Sequence, residues 1–415
     1  MRPLLRLLAG VGAVIACAVV AASPALAALT PALQIANAFP DGGTPQFTTD
    51  GGAAPLRTTR TVPYWSSAFT DPTNGVMYPF TMVGTDPRGL GSTTVKAELI
   101  PLSFHFVAGN QRVSVLDFPG YTARAVDVTM DASGRDAAQM LASPVFQRFR
   151  YDAGLGGDTG QNGDVFMRAQ FGKIGTPYHV ELAPTVLPTV SIEVPQNQGV
   201  AVVNARGVLV GRIDEGWLGG RLQNLLQQLH LDPTTLAIFV THNVLLYANN
   251  DYLACCGLGF HGADLATNGN GKQAVQTYAY AAYVTPKTFV GFGDPAHGLA
   301  DVHALSHEVA EWLADPFLTN GVQPWFAPTA PQYGCTSLLE PGDPLVGVYT
   351  PLAGNTDPGA QGLWHPQDEA FLNWFARNGQ PASLSPWDGR YTFNGPRTVA
   401  LGGGYAGFAS AAGGC

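Results

Sequence analysis

The sequence predicts an α+β protein, with a β-rich N-terminal half followed by a smaller region in which helix, strands and a second helix succeed one another. Three observations carry this expectation. Segments rich in β-branched and aromatic residues recur between Thr93 and Ile213, separated by turn residues. The 50 glycines and 32 prolines in 415 residues imply many turns and long loops in place of a helical bundle. Helical periodicity is confined to a few segments, the clearest of them residues 299–316.

Residues 1–27 have the order of a secretory signal. Arg2 and Arg6 come first, then an apolar run over residues 7–20, then Ser23-Pro24-Ala25-Leu26-Ala27, small residues suited to cleavage after Ala27. Val14-Ile15-Ala16-Cys17 also has the form of a lipoprotein box. The apolar run continues past Cys17, so export to the periplasm or the extracellular space is expected rather than lipid anchoring. No later segment has the roughly 18 apolar residues of a membrane span, so no transmembrane helix is expected. Without Arg2 and Arg6 the chain keeps 19 of its 21 basic residues against 30 acidic ones, a formal charge of 19 − 30 = −11, which argues against nucleic acid as a partner.

Residues 28–92 show no sustained period and read as coil with short strands. From Thr93 the runs TTVKAELIPLSFHF, ARAVDVTM, YHVELA, TVSIEV and GVLVGRI have strand character, interrupted by a helical stripe of Ala137, Met140, Leu141 and Val145 over residues 136–149. His105 and His179 fall within strands and are assigned no chemistry. The glycines of residues 211–216 suggest a boundary there, dividing a β-rich region 28–215 from a second region 216–395, with a Gly-rich tail 396–415 that carries no packing signal. The second region opens on a helix over residues 217–230, through Leu218, Leu222, Leu225 and Leu229. A strand over 236–248, a Gly-rich loop CCGLGFHGA, a polar loop ATNGNGK and a strand VQTYAYAAYV follow.

Residues 299–316 read LADVHALSHEVAEWLADP. Leu299, Val302, Leu305, Val309 and Leu313 recur at steps of three and four, the period of a helix burying one stripe, and Asp315-Pro316 stops it. His307 and Glu311 share another face one turn apart, with Cβ atoms about 5–6 Å from each other, close enough for both heads to meet one ion. The pattern His-Glu-x-x-Glu follows the logic of His-Glu-x-x-His, with His307 and Glu311 as metal ligands and Glu308 activating water. Glutamates are good helix formers, and the pattern arises on many solvated helices. Here it stands out because only 12 % of the chain is charged. His303 is too far along the helix to join the same ion, since i to i+8 spans about 12 Å, and it is expected behind the ligands or at the surface. Downstream, Glu340-Pro341-Gly342-Asp343 places two carboxylates around a tight turn, from which Glu340 or Asp343 could supply a third ligand.

Cysteine usage agrees with export. Once Cys17 leaves with the signal, Cys255, Cys256, Cys335 and Cys415 remain, enough for two disulfides. Bridging adjacent cysteines strains the backbone, so at least one of Cys255 and Cys256 is expected to bond Cys335, tying the loop of His261 to that of Glu340. Cys415 pairs with the other or stays free.

SHEVAEWLADPF followed by E-x-x-D resembles the S-H-E-x-x-E pattern of secreted bacterial metallopeptidases, and CGLGFHG is similar to a segment of the plant exordium, or phosphate-induced, proteins. The likeness spans residues 236–393, with fainter echoes in TTVKAELIPLSFHF and SPVFQ. It implies a zincin-like α+β domain carrying the HExxE helix, a zinc ion (with calcium as the alternative), and a site of His307, Glu308, Glu311, Glu340, Asp343 and His261. The function it implies is a secreted zinc-dependent hydrolase cutting extracellular peptide or protein, with Glu308 as general base. The alternative is a noncatalytic, wall-associated binding protein of the exordium type, with at most a structural metal. The family often has a cysteine after the loop aspartate, where this chain has Pro344.

Overall fold

The computed structural model describes residues 60–108, 115–118, 121–152, 157–248, 251–252, 255–267, 273–289, 298–326, 335–377 and 391–392. The expected signal segment, the Gly-rich tail, Cys17 and Cys415 lie outside these residues. A hairpin of β1 (Tyr64–Thr70) and β2 (Met77–Val83) leads into the long strand β3 (Ser92–Phe106), then β4 (Val128–Asp131), helix α1 (Arg135–Ala142) and helix α2 (Asn162–Gln170). Strands β5 (His179–Val186), β6 (Val190–Glu193), β7 (Gly199–Val203) and β8 (Leu209–Asp214) precede helix α3 (Glu215–Leu229). There follow β9 (Leu236–His242), β10 (Val244–Tyr247), β11 (Cys255–Gly257), β12 (Gly259–Thr267), β13 (Gln273–Tyr283), helix α4 (His303–Ala314), and the hairpin of β14 (Gly321–Phe326) and β15 (Cys335–Leu338). The fold is α+β and β-rich, as expected.

The central sheet has seven strands, in the order β6–β3–β9–β13–β12, with β4 and β5 also paired to β3. Strand β3 is its spine. It pairs in parallel with β5 along its first half, with β9 in the middle and with β6 near its end. β9 runs parallel to β13, and β13 turns back on β12 as an antiparallel hairpin. A second sheet takes β7, β8, β10 and β11.

The central sheet is buried on both faces, which is why LAIFV in β9 and YAYAAY in β13 read as continuous apolar runs. Side chains alternate between two cores at the strand period of two. Ile238, Val240, Leu99 and Tyr283 face one core with Leu305, Val309 and Leu313 of α4. Ala237, Phe239, Ile100 and Tyr280 face the other with Leu218, Leu222 and Leu225 of α3. Leu305, Val309 and Leu313 are at most 1 % exposed, and burying each contributes about 1.5–3 kcal/mol.

Several expectations are corrected. The change of composition at residues 211–216 marks the turn from β8 into α3, where Asp214 caps the helix by accepting from the Trp217 N–H at 2.9 Å. The central sheet draws strands from both sides of it, because β3 pairs with β9. Helix α2 has no counterpart among the expected elements, because all nine of its residues are buried and no polar face marks a period. The expected strand 236–248 breaks into β9 and β10 at Asn243, whose φ is 50°. The expected helix 136–149 ends at Ala142. The expected Gly-rich loop is largely strand, since β12 pairs with β13 from Gly259 onward.

The Cys255 sulfur lies close to that of its neighbour Cys256. β11 holds both sulfurs beside Val210 and Leu245, against the second sheet. Among the described residues no helix is long and apolar enough to cross a membrane.

Candidate metal centre

Helix α4 lies against β12 and β13, and eleven of its twelve residues are buried, His307 being the exception. The face that carries His307 and Glu311 is therefore roofed over. Its cover comes from two C-terminal segments, residues 340–347 and 365–370. The Ala370 N–H donates to the Pro341 carbonyl at 2.9 Å, joining the two segments. Asp301, just before α4, accepts from the backbone N–H of His365 at 3.1 Å and from its Nδ1 at 2.7 Å, which anchors the second segment to the start of the helix. At the other end the Asp315 carboxylate accepts from the Thr319 N–H at 2.9 Å and from the Asn320 N–H, closing the helix C-terminus.

All six residues expected at the site meet between α4, β12 and the 340–343 turn. His307 Nε2 lies 3.2 Å from Glu311 Oε1, 3.7 Å from Asp343 Oδ1 and 3.8 Å from Glu308 Oε1. His261, projecting from β12, places Nδ1 3.5 Å from Glu311 Oε2, 3.6 Å from Glu308 Oε2 and 4.0 Å from Glu340 Oε2. Two triads thus have their ligand atoms within 4.8 Å of one another, His307–Glu311–Asp343 and His261–Glu311–Glu340.

Both imidazoles are oriented from behind. His307 Nδ1 lies 3.0 Å from the Gln367 side-chain oxygen, and the amide of Gln367 is held the right way round because its nitrogen donates to the Gly342 carbonyl. Nδ1–H therefore donates, and Nε2 is the nitrogen that faces the carboxylates. His261 does the reverse, with Nε2 3.1 Å from the Asp315 carbonyl and Nδ1 turned inward. A partner that holds the outer N–H and aims the other lone pair inward is the usual support of a metal-bound histidine. Two glycines make room. A Cβ on Gly342 would come within 2.7 Å of the His307 ring, and one on Gly259 would come 2.5 Å from Glu308 Oε1.

The charges are strongly coupled. Burial pulls both imidazoles toward the neutral form, but the carboxylates around them outweigh it and hold His261 and His307 well above the ordinary histidine range. Glu311 is held below the usual carboxylate range, its burial outweighed by the His307 charge. Glu308 and Glu340 are raised, mainly by burial, and Asp343 is pushed up to about 7 by burial and then by Glu311. A divalent cation would relieve the repulsion that raises these groups, and imidazole with carboxylate is a donor set that suits one. Glu308 Oε2 and Glu340 Oε2 are buried and accept no hydrogen bond.

Comparison with protein-family models, with curated proteins and with solved structures finds no match to this chain.

Some contributors escaped the sequence reading. Gln367, which orients His307, and Glu369, fully buried with neither carboxylate oxygen accepting a hydrogen bond, both lie in HPQDE at residues 365–369. Three ionisable residues among five in a chain of low charge are the same signal that marked α4. His303 is buried and accepts the Gly347 N–H at 3.2 Å, so it holds the loop after Asp343 and is no surface residue. Burial first, and then the His307 charge, push its pKa down to about 3.

Proposed function

We propose that the chain is a secreted zinc-dependent hydrolase that cuts peptide bonds in extracellular peptides or proteins, with α4 as the HExxE helix of a zincin-like site. The observation that carries this reading is the inward Nε2 of His307, whose ring is oriented by Gln367 and which converges with Glu311 and Asp343. This triad has the more open position, since the Asp343 side chain is 31 % exposed whereas that of Glu340, its counterpart in the other triad, is 11 % exposed. Catalytic zinc sites keep such an open side for water and substrate. His307, Glu311 and Asp343 would hold the ion. When bound, zinc supplies a Lewis acid that makes water acidic and polarises a carbonyl.

The chain's own part follows from its geometry. Glu308 reaches within 3.8 Å of His307 Nε2 on the side toward His261, so its carboxylate can take a proton at the edge of the triad and later return it to the leaving amine. Gln367 keeps His307 in one tautomer, and Gly342 lets the turn of Asp343 close over the ring. The signal-like residues 1–27 support export.

A noncatalytic binding protein of the exordium type is the second reading, favoured by the enclosed triad His261–Glu311–Glu340, whose buried ligands suit a structural ion. Peptide cleavage and bound zinc, measured together, separate the two. Under the hydrolase reading Glu308→Gln keeps zinc and loses cleavage, while His307→Ala loses the ion of this triad together with cleavage. Unchanged cleavage in Glu308→Gln, or a wild-type chain without zinc at pH 7, would leave the hydrolase reading without support.

A further inference from the structure

The two histidines belong to different triads. Each stands with Glu311 and one carboxylate of the 340–343 turn, and no group of mutually close ligands among the described residues contains both. Glu311 divides its carboxylate between them, with Oε1 3.2 Å from His307 Nε2 and Oε2 3.5 Å from His261 Nδ1. A single zinc, whose ligands sit about 2.0–2.3 Å from the ion, could complete one triad or the other.

The inner triad is a built site in its own right. His261 is 3 % exposed at its side chain and donates Nε2–H to the Asp315 carbonyl, which fixes the lone pair of Nδ1 toward Glu311 and Glu340. Glu340 Oε2, aimed at that nitrogen, is buried and accepts no hydrogen bond. Among the described residues no lysine or arginine pairs with Glu308, Glu311 or Glu340, so positive charge has to come from elsewhere. One divalent ion in the outer triad leaves Glu308 and Glu340 as further buried carboxylates beside His261.

We propose that the chain binds a second divalent cation in the enclosed triad of His261, Glu311 and Glu340, with Glu311 bridging it to the ion held by His307 and Asp343. This rests on the zinc reading above and extends it to a two-ion centre. The ligand set, one imidazole and two carboxylates, selects a transition-series ion such as zinc over calcium or magnesium, which prefer oxygen alone. The two ions have different surroundings. The inner one is shut away from solvent and ties α4 to β12 and to the 340–343 turn, while the outer one borders the exposed Asp343 edge.

The test is stoichiometry. The mature full chain, stripped with a chelator and titrated with Zn²⁺ alone, should hold two equivalents after gel filtration, read by elemental analysis. His261→Ala and Glu340→Gln should each hold one, His307→Ala one, and Glu311→Ala none, with circular dichroism checking that each variant folds. Glu340→Gln is nearly isosteric and carries the test if His261→Ala does not fold. Independently of any variant, the cobalt-loaded wild type should show reduced paramagnetic resonance intensity per ion, from coupling through the Glu311 carboxylate. One equivalent in the wild type overturns the second site and leaves the hydrolase reading standing, whereas none removes both. Two equivalents kept by both His261→Ala and Glu340→Gln would place the second ion elsewhere and overturn the assignment.

Discussion

Two clusters in this molecule combine histidine with carboxylates, and they balance charge in opposite ways. Around Asp164, His179 and Glu181, ligand atoms also lie within 4.8 Å of one another. There, however, arginines are already in place. Arg168 Nη1 lies 2.7 Å from His179 Nε2 and Arg168 Nε lies 2.8 Å from Asp158, while Arg148 pairs with Glu181 at 2.8 Å. Asp164 accepts from the Val180 N–H at 2.9 Å and lies 2.8 Å from His179 Nδ1. Both ring nitrogens of His179 are engaged, so nothing is left to aim at an ion. Around Glu311 the histidines are held from behind by an amide and a carbonyl, and their inner nitrogens face carboxylates alone. Residue types and proximity are the same in both places. What differs is whether a side-chain cation arrived with the fold.

This contrast can be broken most severely at Arg168. The Arg168–Asp158 pair is 4 % and 8 % exposed, so Arg168→Met should leave a buried charge uncompensated and cost about 3–5 kcal/mol in denaturant unfolding, with no change in zinc bound per chain. A loss of zinc in this variant would mean that the two clusters are not independent. Zinc should be the mirror image of that experiment. At about 100 to 1,000 times its dissociation constant it should stabilise the chelator-stripped chain by about 2.7–4.1 kcal/mol, and calorimetry should find the same gain in His179→Gln. A gain that vanishes in His179→Gln would assign the ion to the wrong cluster.

Gln367→Ala sharpens the comparison from the other side. It removes the acceptor of the His307 Nδ1–H, so zinc affinity should fall about 10- to 100-fold in competition with a coloured chelator, while the fold is kept. An unchanged affinity would show that the ring is held by packing alone. The smallest effect belongs to Arg148→Gln. Its ion pair is 53 % and 28 % exposed, and its loss should change unfolding stability by less than about 1 kcal/mol. A cost as large as that of Arg168→Met would mean that exposure does not set the difference between these pairs.

Much of this was legible in the residues. The apolar steps of α3 and α4 needed only the helical period, and β3, β9 and β13 needed only runs of β-branched and aromatic side chains. His307, Glu308 and Glu311 stood out because charge is scarce in the chain. Helix α2 did not, because complete burial erases the polar face that makes a period visible. His261 was grouped with a loop, since the glycines around it read as breakers. In the fold they are strand residues, and Gly259 leaves the space into which Glu308 reaches.

Local sequence determined which segments become helix or strand and which of them carry ionisable side chains, because periodicity and propensity act within a few residues of one another. Only the tertiary structure decided that the polar face of α4 is roofed by residues 340–347 and 365–370. Only it decided that Gln367 and the Asp315 carbonyl fix the two imidazoles. These are pairings between residues up to 60 positions apart in the chain. No local pattern encodes them, because they arise only when the strand of His261, the helix of His307 and the turn of Asp343 bury their apolar faces together.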